Sequence, residues 1–256
     1  MRRYALLALL AVAIAGAAWV VGALAAGQPP VFWRCVPKGA GSWGDAKCSK
    51  PAIEERGKYE SKPGVPIEIE SFTASGKEIV MQTHTQPFAL GCYSAAMEGS
   101  FWETGAHSVK LTLKGCKSGT EICTSPGASA KTIVSNSLSA ALGWVNEGKF
   151  EIGLDFGSEA GPIAEFECYK PTEKFTSANF QLRGSMIAQL RGDVGTFSKK
   201  FTLTFGTATE REIESFEGGT ADVPSLYRVQ AETEERIEPA HLALAGTSIG
   251  MLSARR

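Results

Sequence analysis

From Val65 onward, apolar and polar residues alternate with a period of two. Ile67 and Ile69 are interleaved with Glu68 and Glu70, and Val109, Leu111 and Leu113 with Lys110, Thr112 and Lys114. The clearest run places Phe150, Ile152, Leu154 and Phe156 on one side of Glu151, Gly153 and Asp155. Such alternation marks antiparallel strands with one face buried and the other solvated. Further runs, KEIVMQT, AKTIVSNSL, PIAEFECY, SANFQLRGSMIAQL and KKFTLTFG, are separated by turn signals at Ala74-Ser75-Gly76, Asn146-Glu147-Gly148 and Gly157-Ser158. The pattern predicts an all-β antiparallel barrel or sandwich over residues 65–256. Helical candidates are few: Ser225 to Ile237 could carry one, with Leu226 and Val229 on one side and Pro239 as its stop, and the acidic run Glu232, Glu234 and Glu235 reads alternatively as a solvated face.

The first 26 residues follow another rule. Arg2 and Arg3 precede an apolar run, ALLALLAVAIAGAAWVVGALA, ending in small residues at Ala23 and Ala25. A basic start, an apolar centre and an A-x-A end describe a secretory signal peptide, cleaved near Ala25 or Ala26. Residues 4–26 are also long enough for a signal anchor, an apolar leader helix left in the membrane. Either way the arginines stay inside and the rest of the chain is exported. No small-residue lipid-attachment box precedes the first cysteine, Cys35.

All six cysteines follow the leader: Cys35, Cys48, Cys92, Cys116, Cys123 and Cys168. An even number in an oxidising compartment predicts three disulfides. Cys35 and Cys48 flank a Gly-rich loop, and Cys116 and Cys123 flank KSGTEI, so local closure predicts those two pairs and leaves Cys92 to Cys168 as a long-range bridge. Residues 27–64, rich in Gly, Lys and Pro, read as a disulfide-tethered N-terminal cap.

Composition narrows the classes further. The chain has 256 residues, 43% of them apolar, and 26 Lys+Arg against 27 Asp+Glu. That apolar content exceeds what a disordered chain carries, and 28 Gly without a three-residue period exclude collagen. The charge balance shows no surplus for neutralising phosphates, so no nucleic-acid partner is expected. Loss of the leader removes two arginines, leaving an exported chain with 24 basic and 27 acidic groups.

The order of motifs resembles a family of uncharacterised exported, β-rich proteins of high-GC Gram-positive bacteria. It runs from GDAKC and ERGKYES through FTASGKEIVMQT, LGCYS, the GCKSGTEICTSPG block and LGWV, then KFEIGLDF, IAEFEC, LRGSMIAQL and REIESFEGG. The resemblance covers nearly all of the exported part. It implies export and a β fold, with Cys116, Cys123, Gly143 and Trp144 as family positions, and no activity. Phe101-Trp102-Glu103-Thr104 departs from the family's more polar, Gly-rich pattern.

Signatures of catalysis are few. Gly39-Ala40-Gly41-Ser42-Trp43-Gly44 spells G-x-G-x-x-G, but it lies between Cys35 and Cys48 without the strand and helix that would cradle a dinucleotide. Nucleophile-elbow, S-x-x-K and H-E-x-x-H motifs are missing. The chain's histidines, His84, His107 and His241, lack metal-ligand spacing. No catalytic residue, cofactor or metal is therefore assigned.

Two sets of residues merit attention as surfaces. Glu165 with Glu167, and Glu151 with Asp155, fall on single strand faces, as a solvated sheet requires or as a hydrolase of extracellular polymers would use with a histidine. Among the aromatics Trp33, Trp43, Tyr93, Trp102 and Trp144, the possible ligand contacts are Tyr93, Trp102 and Trp144, with rim or core packing as the alternative. A lipocalin-like carrier would instead enclose a cavity lined by Phe150, Ile152 and Leu154. The expectation is a secreted or membrane-face binding module with an extracellular or cell-envelope ligand, touching the membrane only through residues 4–26.

Overall fold

A computed structural model describes residues 29–64, 70–83, 88–172, 178–191, 197–205, 215–217, 219–220, 224–241 and 243–255. The expected leader lies outside the described residues, as does His84. The chain is all β. It starts with β1 (Val31–Gly41) and β2 (Gly57–Pro63), then the long β3 (Glu70–Thr83) and β4 (Ala89–Trp102). Next come β5 (Gly105–Lys114), β6 (Lys117–Ser118), β7 (Glu121–Thr124), β8 (Thr132–Val134) and β9 (Leu138–Asn146). The middle of the chain supplies β10 (Glu151–Ser158), β11 (Ala164–Tyr169), β12 (Ala178–Arg183), β13 (Ser185–Arg191) and β14 (Ser198–Thr204). The two-residue strands β15 (Ser215–Phe216) and β16 (Gly219–Thr220) pair with each other, and β17 (Ser225–Arg228), β18 (Thr233–His241) and β19 (Ala243–Arg255) complete the order.

Antiparallel pairing closes a barrel. The ladder runs β3, β4, β5, β9, β10, β13, β14, β19 and back to β3, a circuit of eight strands. Closure leaves no free sheet edge in this ring, and it decides for a barrel over an open sandwich. A second circuit shares β3 and β4 and returns through β6, β7, β11, β12, β17 and β18. The β1–β2 hairpin joins the assembly where β1 pairs with the C-terminal end of β19, Val31 opposite Arg255.

The shared hairpin serves both circuits by changing which residues it buries. In the first circuit β3 buries Phe72 and Ala74, and β4 buries Ala95, Met97 and Phe101; farther along the hairpin the buried positions are Ile79, Met81, Leu90 and Cys92. The switch falls where Lys77, Glu78 and Tyr93 are all exposed and Glu78 takes φ +55°, outside the extended region of a strand. Both strands skip a step at the same place, so one continuous apolar core fills the two circuits.

The first circuit is packed with large side chains. Met97, Leu138, Leu154, Ala188, Leu203 and Leu244 come from six of its strands, and each is at most 1% exposed. Gly246 makes room for this packing, because a Cβ there would lie 2.3 Å from the Phe201 ring and 2.9 Å from the Ala74 methyl. The void between Met81, Leu90, Phe166, Leu182 and Met186 measures about 20 Å³, far below the size of a ligand pocket. Ile152 and Leu154 belong to the filled core rather than to a cavity wall. Phe150, expected beside them, is instead 60% exposed: it ends a 3-10 turn, Glu147–Lys149, with φ +56°, which takes its ring out of the strand's alternation.

Two disulfides differ from the expected pairs. Cys35 bonds Cys48 as local closure predicts, but Cys92 bonds Cys116 and Cys123 bonds Cys168. The reason is a row across neighbouring strands. Cys168 lies opposite Cys123, the Cys123 amide donates to the Cys116 carbonyl 3.1 Å away, and the neighbouring pair Gly91 and Lys117 sets Cys116 beside Cys92. Joining the middle two would leave Cys92 and Cys168 separated by two strands. Only the outer pairs leave no thiol free. Buried hydroxyls stitch the same region: Ser135 Oγ accepts from the Leu111 amide at 2.9 Å, and Ser125 Oγ donates to the Glu165 carbonyl at 2.5 Å.

The stretch from Ser225 to Ile237, a candidate helix by its spacing, folds as β17, a 3-10 turn at Val229–Ala231, and β18. Leu226 sits opposite Leu182 on one side and Glu235 on the other, so sheet pairing overrides local helical spacing.

Of the glycines in the G-x-G-x-x-G string, Gly41 serves close packing. A Cβ at Gly41 would stand 2.2 Å from the Tyr59 carbonyl oxygen. The loop beyond it is held by Asp45, whose carboxylate accepts from the Ser49 hydroxyl at 2.7 Å and from the Ser49 and Lys50 amides at 2.9 Å.

Three disulfides are the mark of a chain that folds in an oxidising compartment. Among the described residues no helix is long and apolar enough to cross a membrane. The first circuit turns apolar side chains inward and Lys, Glu, Thr and Ser outward on β3, β4 and β5, the reverse of a barrel that faces lipid.

Candidate binding surface

The outward positions of the first circuit form a concave polar wall. Register places Lys110, Glu98, Thr73, Thr247 and Lys200 side by side across β5, β4, β3, β19 and β14. A second row, one pleat step along, consists of Thr112, Ala96, Ser75, Ala245 and Thr202, with Arg191 of β13 opposite Thr202. These side chains line a hollow of about 940 Å³. Its middle is made of alanine, serine and threonine, which lets the wall stay shallow and hydroxyl-rich, while the long basic side chains come from the flanking strands.

Electrostatics favour anions here. Within the hollow Lys110, Lys200 and Arg191 face one carboxylate, Glu98. The next row toward the kink, Lys77, Ser94 and Lys114, adds two lysines and no acid. Among the described residues, Lys77, Lys110, Lys114 and Lys200 form no ion pair with a carboxylate. The balance of charge over the whole chain, from which no basic face was expected, therefore hides a local surplus.

Of the aromatic candidates, two border this wall. Tyr93, at the kink, is 71% exposed, and Trp102, at the far end of β4, is 52% exposed, so they bracket the hollow's β4 residues, Ala96 and Glu98. The Trp102 ring meets His107 edge-on with centroids 5.6 Å apart, and His107 Nδ1 lies 3.2 Å from Ser108 Oγ. Trp144 does not join them. It is 7% exposed, packed in the core from β9, and the exposed Phe150 ring stands edge-on to it.

Among the described residues the two sets of paired carboxylates do not come together. Glu165 and Glu167 alternate with buried Phe166 and Cys168 and point outward from β11. Gln181 Nε2 donates to Glu165 Oε1 at 2.7 Å, a cross-strand contact on the polar side of the sheet. Glu151 and Asp155 lie on β10, which pairs with β9 and β13, whereas β11 pairs with β12 and β7, so the two carboxylate sets sit on strands that are not neighbours. His107 is on a third strand, β5, and His241 lies in β18. Among the described residues no group of three metal-ligating side chains comes together.

Sequence reasoning missed the hollow. Its only local trace is the polar half of each alternating run, Lys110 and Thr112 in VKLTLK or Lys200 and Thr202 in KKFTLT. What unites them is the register of β14 with β19 and of β19 with β3, contacts between residues far apart in the chain. Compared with protein-family models, with curated proteins and with solved structures, the chain matches none.

Proposed function

We propose that this chain is an exported, disulfide-braced β-barrel domain of the kind its motif order resembles, and that it acts without catalysis, as a binding or cell-surface interaction module. The observation that supports the reading is the concave wall of the first circuit, about 940 Å³ in volume and built on a barrel whose described inward positions, such as Leu138, Leu154, Leu203 and Leu244, are filled by buried side chains. A rigid scaffold with an open polar hollow is suited to holding an extended ligand, whereas a carrier of apolar molecules needs an enclosed cavity. The leader delivers the domain outside the cell, either released or held at the membrane face by residues 4–26, and the N-terminal residue of the exported product distinguishes the two.

The test is cosedimentation of the full chain with insoluble cell-envelope material, beside a turnover assay on soluble envelope polysaccharides. The expected result is saturable cosedimentation without release of reducing ends. Steady hydrolysis would overturn the reading in favour of a hydrolase, and absence from the pellet at every protein concentration would overturn it outright.

A further inference from the structure

We infer that the hollow on the first circuit binds an acidic polysaccharide, which deepens the proposed binding role and rests on it. Three features of the wall select this chemistry. Charge comes first: among the described residues Lys110, Lys200 and Arg191 line the hollow with one carboxylate, Glu98, and Lys77 and Lys114 extend the basic field toward the kink. A concave surface lined by one sign of charge concentrates the opposite sign.

The floor comes second. Thr73 and Thr247 lie side by side between the lysines, and their hydroxyls both donate and accept hydrogen bonds. A sugar hydroxyl can use both roles, whereas a phosphate or carboxylate oxygen uses only the donor. Third, the small residues in the middle of the wall let a chain lie along it, and the exposed rings of Tyr93 and Trp102 stand at its two ends along β4, where an apolar sugar face can pack. Among the described lining residues the one aromatic is Phe201, whose ring is engaged edge-on by Phe72 and Phe101, so the hollow lacks the series of free rings on which successive bases would stack, which separates this ligand from a single-stranded nucleic acid.

The inference is tested with the full chain and four probes: polygalacturonate as the acidic polysaccharide, neutral dextran, a single-stranded DNA oligonucleotide, and vesicles of phosphatidylglycerol. Calorimetry or affinity electrophoresis is to show binding of polygalacturonate that weakens as salt rises, because exposed charges are screened. The double variant Lys110→Glu/Lys200→Glu is expected to bind about tenfold or more weakly, since reversing charges at a binding site turns attraction into repulsion. Lys110→Arg/Lys200→Arg retains binding, and Lys149→Glu, on the turn between β9 and β10, leaves it unchanged. Unchanged melting of the variants separates lost binding from lost fold.

Failure to bind polygalacturonate, or binding indifferent to the charge-reversed variant, overturns the inference. Tighter binding of the oligonucleotide or the vesicles through the same lysines also overturns it, in favour of that other anion. If polygalacturonate fails while insoluble envelope material is still bound, the acidic-glycan inference falls and the binding role stands; if both fail, the two fall together.

Discussion

The two circuits share a hairpin and a core, yet they are stabilised by different means and present different walls. The first, through β9, β10, β13, β14 and β19, has no disulfide joining two of its described strands, and its interior is filled by Leu138, Leu154, Leu203 and Leu244, each fully buried. The second, through β6, β7, β11, β12, β17 and β18, includes the two-residue strand β6 and is braced by Cys92–Cys116 and Cys123–Cys168. A strand of two residues makes too few ladder bonds to hold a ring, and a covalent cross-link supplies what length cannot. The outer surfaces diverge as well. On β11 of the second circuit Glu165 and Glu167 point outward, with Glu165 engaged by Gln181, while the first circuit offers a hollow whose lysines have no carboxylate partner among the described residues. The same alternation of apolar and polar residues therefore yields a plain solvated face in one place and a binding surface in the other. The difference lies in the sign of charge brought together by register and in the hollow that the first wall carries.

The largest effect should come from breaking the brace. Replacing Cys123 and Cys168 together, which opens a loop with a sequence separation of 45, is expected to cost about 4 kcal/mol, and the Cys92–Cys116 pair slightly less, by the loop-entropy relation. Denaturant unfolding measures the loss. Hydrogen exchange should then show β7 and β11 opening before β9 and β10. A comparable blow to the first circuit is Leu154→Ala, at a fully buried position, expected to destabilise by about 3 kcal/mol through lost burial and a cavity. Gly246→Val should cost about 2 kcal/mol by forcing a side chain into the Phe201 ring, and calorimetric melting measures it. Glu165→Gln and Glu167→Gln, on the plain wall, should change stability by less than about 0.5 kcal/mol and leave polygalacturonate binding intact.

The smallest effect lies outside both circuits, in the β1–β2 hairpin. Hydrogen bonds from the Ser49 side chain and then the Lys50 amide hold the Asp45 carboxyl at about 2, below its ordinary value of 3.8. Because the folded value is the lower one, the stabilisation is present above the ordinary value and is lost as pH falls from there through about 2. Carboxyl chemical shifts across that window should follow the Asp45 titration, and Ser49→Ala should bring its midpoint back toward the ordinary range.

Local pattern reveals the strands and little of their arrangement. The run Phe150 to Phe156 reads plainly as a half-buried strand because a strand's faces are defined by its own alternation. Closure of the barrel is written only in pairings such as Lys200 with Thr247 and Ser75 with Ala245, between residues that nothing local connects. The cysteines show the same limit. Spacing favoured the short loop from Cys116 to Cys123, whereas the sheet sets four cysteines in a row and the row selects the partners. Between Ser225 and Ile237, apolar residues at helical spacing concealed a hairpin whose stability comes from β12 on one side and β3 on the other. Net charge misled for a related reason: a total near zero carries no information about which face holds which sign.

The central claim is that the concave wall of the first circuit, not the carboxylate face of the second, is the surface that meets a ligand. Amide hydrogen exchange of the full chain with and without polygalacturonate locates that surface. The account predicts added protection on β3, β4, β14 and β19 at and beside Thr73, Ala96, Lys200 and Thr247, with β11 unchanged. Protection confined to β11 and β12, around Glu165 and Glu167, would contradict it.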